Sequence, residues 1–337
     1  MDSLRFALSW FEPLTTALFT RNIPFTYRWR LLLLQPLAFL TYALKYLPYA
    51  ISAPYNVIYI PTRSTHKLRA LVFTPKAFNK GTAHTGLRPL HIDFHGGSFL
   101  GGIAEYGVPF CEEVCERTGA VVVSTQYRHA PANVYPAAHE DAEDVVDWVL
   151  ANAEKRFGAD SKDLTVSGWS AGGNLMMVAG TRAKAAVGVY AVVDLRSPPD
   201  AKPKPAGFPK RDPSVWLMPL FDAYALPARA GGGSDSRLNP ILKHTDELPR
   251  DMLFINAGID ILLAEQLALV SRVQRDLKED GSVTGRRRRI VAKTFDKGFH
   301  GWLELPSWVI ANERDKTEAF DAAIGFLVEA RQRRNVS

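Results

Sequence analysis

The chain has 337 residues but only two cysteines, little net charge and no long uninterrupted apolar run. Two cysteines cannot form a disulfide framework. Cys111 and Cys115 lie four residues apart, which predicts small apolar side chains on the buried stripe of a helix and not a redox pair or metal clip. Lys and Arg number 41 against 35 Asp and Glu, an excess too small and too dispersed to indicate a nucleic-acid groove. No stretch reaches the roughly 18–20 uninterrupted apolar residues of a clear transmembrane helix, so we expect a soluble protein.

The composition and its periodicity indicate a folded chain of the α/β class. Hydrophobic residues make up 47% and charged residues 23%, which excludes a disordered tail and permits one large domain or two smaller ones. From residue 55 onward, short β-branched runs alternate with longer amphipathic patterns. This alternation is typical of a mostly parallel sheet with helices on both faces, and we expect the main domain over residues 55–337. Residues 55–61 and 68–75 predict an antiparallel opening pair.

Two segments depart from this alternation. Residues 196–237 contain eight prolines, and an insertion of this kind is more typical of a functional lid than of a linker. Residues 1–54 combine leucine-rich runs with a basic aromatic cluster at Tyr27–Arg30. We expect no cleaved signal peptide there, because the basic residues come late and Pro36 and Lys45 interrupt the second apolar run.

Three interpretations of residues 1–54 are open on sequence grounds. They can form a helical cap over the entrance to a site, with an apolar face against the main domain. They can contact a membrane surface peripherally, because Trp, Tyr and Arg next to leucines suit the lipid interface. They can also form a single-span anchor. The first two are compatible, since a cap can present apolar side chains to both protein and lipid.

The strongest motif is Gly168-Trp169-Ser170-Ala171-Gly172, which follows a predicted strand and opens a predicted helix. That context indicates a nucleophile elbow, in which a sharp turn forces the serine into a strained backbone conformation and the flanking glycines avoid collisions. The serine hydroxyl is then expected at the carboxyl edge of the sheet, at a helix N-terminus that favours developing negative charge. A plain strand-to-helix turn with an incidental serine is the alternative.

A second glycine motif, His95-Gly96-Gly97-Ser98, follows the predicted strand LHIDF. Acyl transfer creates an oxyanion, and fixed backbone N–H groups stabilise it better than water that must reorient. We expect the amides of Gly96, Gly97 and Ala171 to form this oxyanion hole. His95 is predicted to hold the loop by hydrogen bonds and not to act as the base.

A serine nucleophile needs a base that is itself oriented by a carboxylate, and after an elbow the acid and the histidine follow in the chain. Of the eight histidines, only His244 and His300 follow Ser170. His300 comes just after the last predicted strand, where a loop can fold over the nucleophile, whereas His244 precedes a strand. Asp260, after the strand MLFINAG, is the predicted acid. Asp194, after the preceding strand, is the alternative.

With these motifs in place, the chain resembles the hormone-sensitive-lipase-like carboxylesterases of the α/β-hydrolase fold over roughly residues 65–330. The resemblance also includes Tyr127-Arg128-His129-Ala130-Pro131, Tyr135-Pro136-Ala137-Ala138, Asn174, Asn239-Pro240 and Glu265. It implies an α/β-hydrolase fold, with a mostly parallel eight-stranded sheet flanked by helices. It also implies a helical cap, built from the N-terminal segment and the 196–237 insertion.

Two positions differ from the usual pattern of that family. Ser98 stands where a third glycine is common, so the oxyanion loop is expected to be slightly stiffer. Trp169 stands where Asp or Thr is common, and its ring is expected either to shape the pocket or to pack beneath the elbow. The substrate pocket is expected to include Trp169, Ser98 and Phe99.

The expected function is hydrolysis of carboxylic esters of apolar small molecules or lipids through an acyl-enzyme, with Ser170, Asp260 and His300 as the catalytic triad. Amide, formamide or lactone hydrolysis and acyl transfer are alternatives, because the triad does not encode the leaving group. A non-catalytic ligand receptor is an alternative of another class, although such receptors tend to lose a triad member. We expect a small-molecule ester as partner, with no metal, cofactor or nucleic acid, and the sequence permits a homodimer. The expected location is cytoplasmic, with or without contact with an internal membrane surface.

Overall fold

A computed structural model describes residues 2–76, 86–280, 288–305 and 313–333, and its strands form one eight-stranded sheet. The strands are β1 (Asn56–Pro61), β2 (Lys67–Phe73), β3 (Arg88–Phe94), β4 (Val121–Thr125), β5 (Ala159–Trp169), β6 (Ala185–Val189), β7 (Asp251–Ile259) and β8 (Arg289–Phe299). Their order is β1-β2-β4-β3-β5-β6-β7-β8. β2 is antiparallel to β1 and β4, and all other pairs are parallel. The predicted mostly parallel sheet with an antiparallel opening pair is confirmed.

The helices alternate with these strands from β3 onward. They are α1 (Asp2–Ser9), α2 (Glu12–Phe19), α3 (Phe25–Tyr46), α4 (Val108–Thr118), α5 (Ala137–Phe157), α6 (Ala171–Leu175), α7 (Met218–Phe221), α8 (Leu226–Ala230), α9 (Leu263–Asp280) and α10 (Glu313–Gln332). α4 and α5 end at Gly119 and Gly158, which adopt the left-handed conformation with φ of 69° and 59°. The strand predicted to reach Asp194 ends at Val189, because Tyr190 turns the chain with a φ of 36°.

Both faces of the sheet are buried, as expected for parallel strands between helices. Successive residues alternate between two hydrophobic clusters: in β4, Val121 and Val123 belong to one and Val122 to the other. α5 and α9 cover the first face, and α4 and α10 cover the second. Cys111 and Cys115 lie on the buried side of α4, as their spacing predicted.

The N-terminal helices α1, α2 and α3 form a layer that packs against the domain through the buried side of α3. That side contains Tyr27, Leu31 and Tyr42. Gln35 joins α3 to the preceding helices, because its side chain accepts a hydrogen bond from Leu14 N at 3.0 Å and donates one to Trp10 O at 3.0 Å.

The N-terminal layer also contacts the 196–237 insertion. Trp29 stacks on Trp216 with ring centroids 6.4 Å apart, and the Arg30 side chain donates to Trp216 O. The two segments that depart from the α/β alternation are therefore in contact with each other.

Candidate active site

The residues predicted to act in catalysis lie at one edge of the sheet. Ser170 follows β5, Asp260 follows β7, His300 follows β8, and the loop of residues 95–102 follows β3. Because these four strands are parallel, their carboxyl ends lie at the same edge. The fold therefore brings together Ser170 and His300, which are 130 positions apart in the chain.

Ser170 occupies a strained turn between β5 and α6. Its φ of 50° and ψ of −115° lie outside the regions that non-glycine residues favour. A methyl group on Gly168 would lie 2.1 Å from Gly172 O, and one on Gly172 would lie 2.1 Å from Phe94 O. Only glycine fits at these two positions, so the glycines of the elbow are required by direct backbone contact.

The structure brings the three predicted catalytic side chains into one hydrogen-bonded series. Ser170 Oγ lies 2.8 Å from His300 Nε2, and His300 Nδ1 lies 2.7 Å from Asp260 Oδ2. The other carboxylate oxygen, Asp260 Oδ1, accepts a hydrogen bond from Leu262 N at 2.9 Å. In this arrangement the Nδ1–H donates to the carboxylate, which leaves Nε2 to accept the serine proton.

The surroundings of His300 raise its pKa above the ordinary histidine value. Burial of the ring acts to lower the pKa, but the charge of Asp260 and the hydrogen bond to it outweigh that effect. Asp260 is 2% exposed, whereas 40% of the His300 side-chain surface remains open. The imidazole can therefore exchange protons at the cavity while the buried carboxylate stabilises its charged form.

Asp194, the alternative acid, has other partners. Its carboxylate accepts hydrogen bonds from the Arg196 guanidinium at 2.6 and 2.9 Å. Partial burial acts to raise the pKa of Asp194, but Arg196 outweighs this and lowers the pKa below the ordinary value. Glu265, one of the residues in the family resemblance, accepts hydrogen bonds from Val193 N at 2.8 Å and Asp194 N at 3.2 Å. Asp260, and not Asp194, is the carboxylate beside the imidazole.

In the loop after β3, hydrogen bonds hold the carbonyl groups of His95 and Gly96 toward Tyr127. Tyr127 Oη donates to His95 O at 3.0 Å and to Gly96 O at 3.3 Å, and His95 Nδ1 lies 2.6 Å from Gly96 O. C=O and N–H point in opposite directions in a trans peptide, so the amides of Gly96 and Gly97 point away from Tyr127. A methyl group on Gly96 would lie 3.5 Å from Ser170 Cβ, so these amides lie beside the nucleophile. This geometry suits the predicted oxyanion hole.

Other residues of this region support the loop as expected. Burial lowers the pKa of His95 to about 3, so the ring is neutral and serves as a hydrogen-bonding group in the loop. Ser98 has a φ of 55° and so adopts the left-handed conformation of the glycine that it replaces. Tyr42 of α3 accepts a hydrogen bond from Gly102 N at 2.9 Å. Ala171, the third predicted donor, is the first residue of α6.

An apolar cavity of about 400 Å³ opens onto the serine. Ser98 and Phe99, two of the three residues assigned to the substrate pocket, line it together with Asp260 and His300. Residues between Phe208 and Phe221 of the insertion form part of its wall. The insertion that was predicted to be a lid therefore lies over Ser170.

Comparison with known proteins identifies the family. A family profile described as alpha/beta hydrolase fold matches residues 91–287, more than half of the chain. The chain belongs to the α/β-hydrolase fold family. The fold and the family that the motifs predicted are confirmed.

Solved structures and curated relatives resemble this chain over different lengths. The Pyrobaculum calidifontis esterase is 26% identical with a TM-score of 0.65, and the match covers 82% of this chain and 84% of that one. Carboxylesterase 20 of Arabidopsis thaliana is 31% identical over 130 residues, which are 37% of this chain and 40% of the relative. Gibberellin receptor GID1C of the same plant is 39% identical over 98 residues, which are 28% of each chain. The chain thus matches less than half the length of these curated relatives.

The assignment of Trp169 to the substrate pocket is wrong. Side chains alternate across a strand, so Trp169 lies on the same face of β5 as Ser167 and points away from the cavity. Its Nε1 donates to Asp93 Oδ1 at 3.1 Å, and its buried ring packs against Phe110 and Phe320 with centroids 5.3 and 6.2 Å away. The ring packs beneath the turn at Ser170, which is the other role expected for it.

Asp93 is a buried carboxylate whose role sequence reasoning missed. It accepts hydrogen bonds from Ser167 Oγ at 2.6 Å and Ser124 Oγ at 3.1 Å, in addition to that from Trp169. Burial raises the pKa of Asp93, and these hydrogen bonds oppose the rise. An aspartate inside the apolar run LHIDF was the available signal, since such a group needs buried donors. It joins β3, β4 and β5 beneath the nucleophile.

Glu304 is a second missed carboxylate, and it lies beside the reacting groups. Its Oε2 accepts a hydrogen bond from Tyr190 Oη at 3.0 Å, and the Tyr190 ring lies 5.0 Å from the His300 ring. A methyl group on Gly96 would lie 3.3 Å from Glu304 Oε1. Burial raises the pKa of Glu304, and its charge adds to that of Asp260 in raising the pKa of His300. No motif marks this residue, because only the fold brings it to the oxyanion loop.

Asp260→Asn is expected to lower kcat on an activated ester by about 10⁴, because the histidine loses the group that fixes its tautomer and stabilises its charge. Asp194→Asn is the matched control, and it should retain activity because that carboxylate binds Arg196. Initial rates on p-nitrophenyl esters measure both. Equal losses in the two variants would contradict the assignment of the acid.

Gly97→Ala is expected to lower kcat by about 10²–10³, the usual cost of losing one oxyanion donor. Gly97 has a φ of 126°, and a methyl group there would lie 1.9 Å from Gly101 O, so the loop must move. Gly158→Ala is the control, because Gly158 has a φ of 59° but nothing within 4 Å. It should lose thermal stability and keep its kcat. Wild-type kcat in Gly97→Ala would be inconsistent with an oxyanion hole at this loop.

Glu304→Gln is expected to move the acidic limb of the kcat/KM profile to lower pH. His300 acts as a base only when neutral, so the rate falls as the pH drops through its pKa. Removing the Glu304 charge lowers that pKa, and the histidine then stays neutral at lower pH. Glu318→Gln, at a carboxylate that pairs with Lys293 on the surface, is the control and should leave the midpoint in place. An unshifted midpoint in Glu304→Gln would rule out the electrostatic role.

Proposed function

We propose that this hydrolase cleaves carboxylic esters of apolar small molecules or lipids through an acyl-enzyme. The main support is the hydrogen-bonded series of Ser170, His300 and Asp260 at an apolar cavity. Its similarity to the Pyrobaculum calidifontis esterase and to Carboxylesterase 20 supports ester hydrolysis as the reaction class.

In the acylation step, Ser170 Oγ attacks the ester carbonyl carbon while His300 Nε2 takes the hydroxyl proton. The carbonyl oxygen becomes an oxyanion, which the amides of Gly96, Gly97 and Ala171 stabilise. The carbon–oxygen bond to the alcohol then breaks, and His300 gives its proton to the leaving oxygen. The products of this step are the free alcohol and an ester of Ser170 with the acyl group.

In the deacylation step, water takes the place of the alcohol. His300 removes a proton from the water as its oxygen attacks the acyl carbon, and the same amides stabilise the second oxyanion. The bond to Ser170 Oγ breaks, and the histidine returns the proton to the serine. One ester and one water thus become one acid and one alcohol, with no change in oxidation state.

The cavity favours an apolar group on the substrate. Its wall includes Phe99, Val192, Leu195, Met218, Phe221 and Phe299. Lys202, the lysine of its described wall, already pairs with Glu265. A carboxylate on the substrate would have to break that pair to gain the lysine as a partner, whereas an apolar group is buried without that cost.

A ligand receptor is the second candidate, because Gibberellin receptor GID1C is similar to this chain over 98 residues. Binding alone does not require a base 2.8 Å from a serine hydroxyl, so the assembled triad favours an enzyme. Amide or lactone hydrolysis and acyl transfer would use the same residues, and they differ from ester hydrolysis only in the leaving group or the acceptor.

Ser170→Ala is expected to lower kcat by on the order of 10⁶, because the nucleophile of both steps is lost. Wild type and variant are compared on panels of p-nitrophenyl acyl esters, anilides and lactones, which also rank the substrate classes. Ser271→Ala, at an exposed serine of α9, is the matched control and should keep full activity. Undiminished turnover in Ser170→Ala, or none in the wild type on any class, would refute the proposal.

A further inference from the structure

We infer that the N-terminal helices form a docking surface for a lipid membrane. Twenty large hydrophobic side chains are exposed in the described residues, and thirteen of them lie between Leu8 and Ile51. We call these thirteen side chains the N-terminal apolar face. Scattered exposed hydrophobic residues are normal on a protein surface, but such a concentration within one segment marks an interaction site.

The face follows the periodicity of α3. Leu33, Leu37, Leu40 and Leu44 are three or four residues apart, so they form one stripe along the helix, opposite the side that packs on the domain. With 22 residues, α3 is about 33 Å long. The stripe from Leu33 to Leu44 covers the C-terminal half of this length, about 17 Å at 1.5 Å per residue.

Further exposed apolar side chains lie on α2, which packs against a different side of α3. Leu18 and Phe19 at the end of α2 are 55% and 77% exposed, and the Phe11 ring lies 5.6 Å from that of Phe39. At roughly 150–250 Å² for a large side chain, the thirteen side chains together expose on the order of 1,000 Å² of apolar surface.

The charges beside the face suit an anionic lipid surface. Residues 1–54 contain five Lys or Arg and two Asp or Glu, so their net charge is 5 − 2 = +3. This is half of the net charge of +6 of the whole chain. Between residues 6 and 54 the acidic residue is Glu12, and its carboxylate pairs with His129 at 2.8 Å. Arg21, in the turn between α2 and α3, is exposed. Basic groups at the edge of an apolar face attract anionic headgroups.

The basic residues of α3 itself do not interrupt the face. Arg30 donates to Trp216 O, and Lys45 donates to Glu304 O. Arg28 binds two carbonyl groups at the end of α2. These side chains therefore bind the protein side of the helix, and the outer stripe is uncharged.

The contacts of α3 favour a helix in the plane of the membrane surface over one that crosses it. Phe25–Tyr49, with a mean hydropathy of 1.3, is long and apolar enough to cross a membrane by length and composition. Trp29 near its start stacks on Trp216, however, and Tyr42 near its end binds Gly102. A crossing helix would break both contacts. An in-plane helix keeps them and buries the apolar face at the boundary between headgroups and acyl chains.

A second copy of this chain is the other apolar partner to consider. A symmetric dimer through this face would place the same surface of each copy against the other. The exposed Arg21 would find no free carboxylate between residues 6 and 54 of the second copy, because Glu12, the acidic residue there, pairs with His129. An anionic lipid surface supplies the opposite charge, so we assign the face to lipid.

Flotation of the full-length protein with vesicles tests this inference, and it does not depend on esterase activity. The vesicles are phosphatidylcholine alone and phosphatidylcholine mixed with phosphatidylserine. The test variant is Leu33→Glu/Leu37→Glu. The control is Leu242→Glu/Leu267→Glu, which replaces two exposed leucines of the main domain. Circular dichroism and thermal unfolding show whether each variant is folded.

We expect wild type and control to float, more strongly with phosphatidylserine, and the test variant to lose at least tenfold in the bound fraction while keeping its fold. Wild type that floats with neither vesicle, or a test variant that floats like wild type, would overturn the inference. Sedimentation without vesicles tests whether the face is instead an interface between two copies of the chain. A wild-type dimer that does not float, together with a monomeric test variant, would assign the face to a second copy and would equally overturn it.

Discussion

Ser170 stands in a backbone conformation that costs on the order of 1–3 kcal/mol, and the geometry of the site depends on the contacts that hold it there. Its amide donates to Val189 O at 2.9 Å, and its carbonyl accepts from Val192 N at 3.1 Å. Gly172 lets α6 pack directly on the end of β3, because any side chain there would strike the Phe94 carbonyl. The same contact brings the oxyanion loop to the nucleophile. The close backbone contact between α6 and the end of β3 thus fixes the positions of both the Ser170 hydroxyl and the amides of the loop after β3.

Support for this turn comes from buried polar groups on several sides. Asp93 binds the strands beneath it, and Tyr127 holds the carbonyls of the oxyanion loop. Tyr42 binds the far end of that loop from α3, the helix whose outer side is the N-terminal apolar face. A helix proposed to rest on lipid is therefore bonded to the loop proposed to stabilise the oxyanion.

The triad could be predicted from the sequence because each member follows a strand that is recognisable as an apolar run. The elbow could be predicted because its glycines and Ser170 are adjacent in the chain. The remaining features depend on tertiary contacts. β6 ends early because Tyr190 has a φ of 36° and turns the chain out of the sheet, toward the elbow whose Ser170 carbonyl accepts from Val192 N. The Trp169 side chain points away from the cavity because its position in β5 lies on the face of the sheet that packs against Phe110 and Phe320. Glu304 becomes part of the site only when the turn after β8 folds against Gly96.

Covalent trapping with a fluorophosphonate, followed by mass spectrometry of the intact protein and its peptides, tests the central claim most directly. Such a reagent reacts with a serine that an adjacent base activates. The account predicts one adduct per chain, located on Ser170, with labelling that slows as the pH falls and that disappears in His300→Ala. A wild-type protein whose Ser170 stays unlabelled, or an adduct on a different serine, would contradict it.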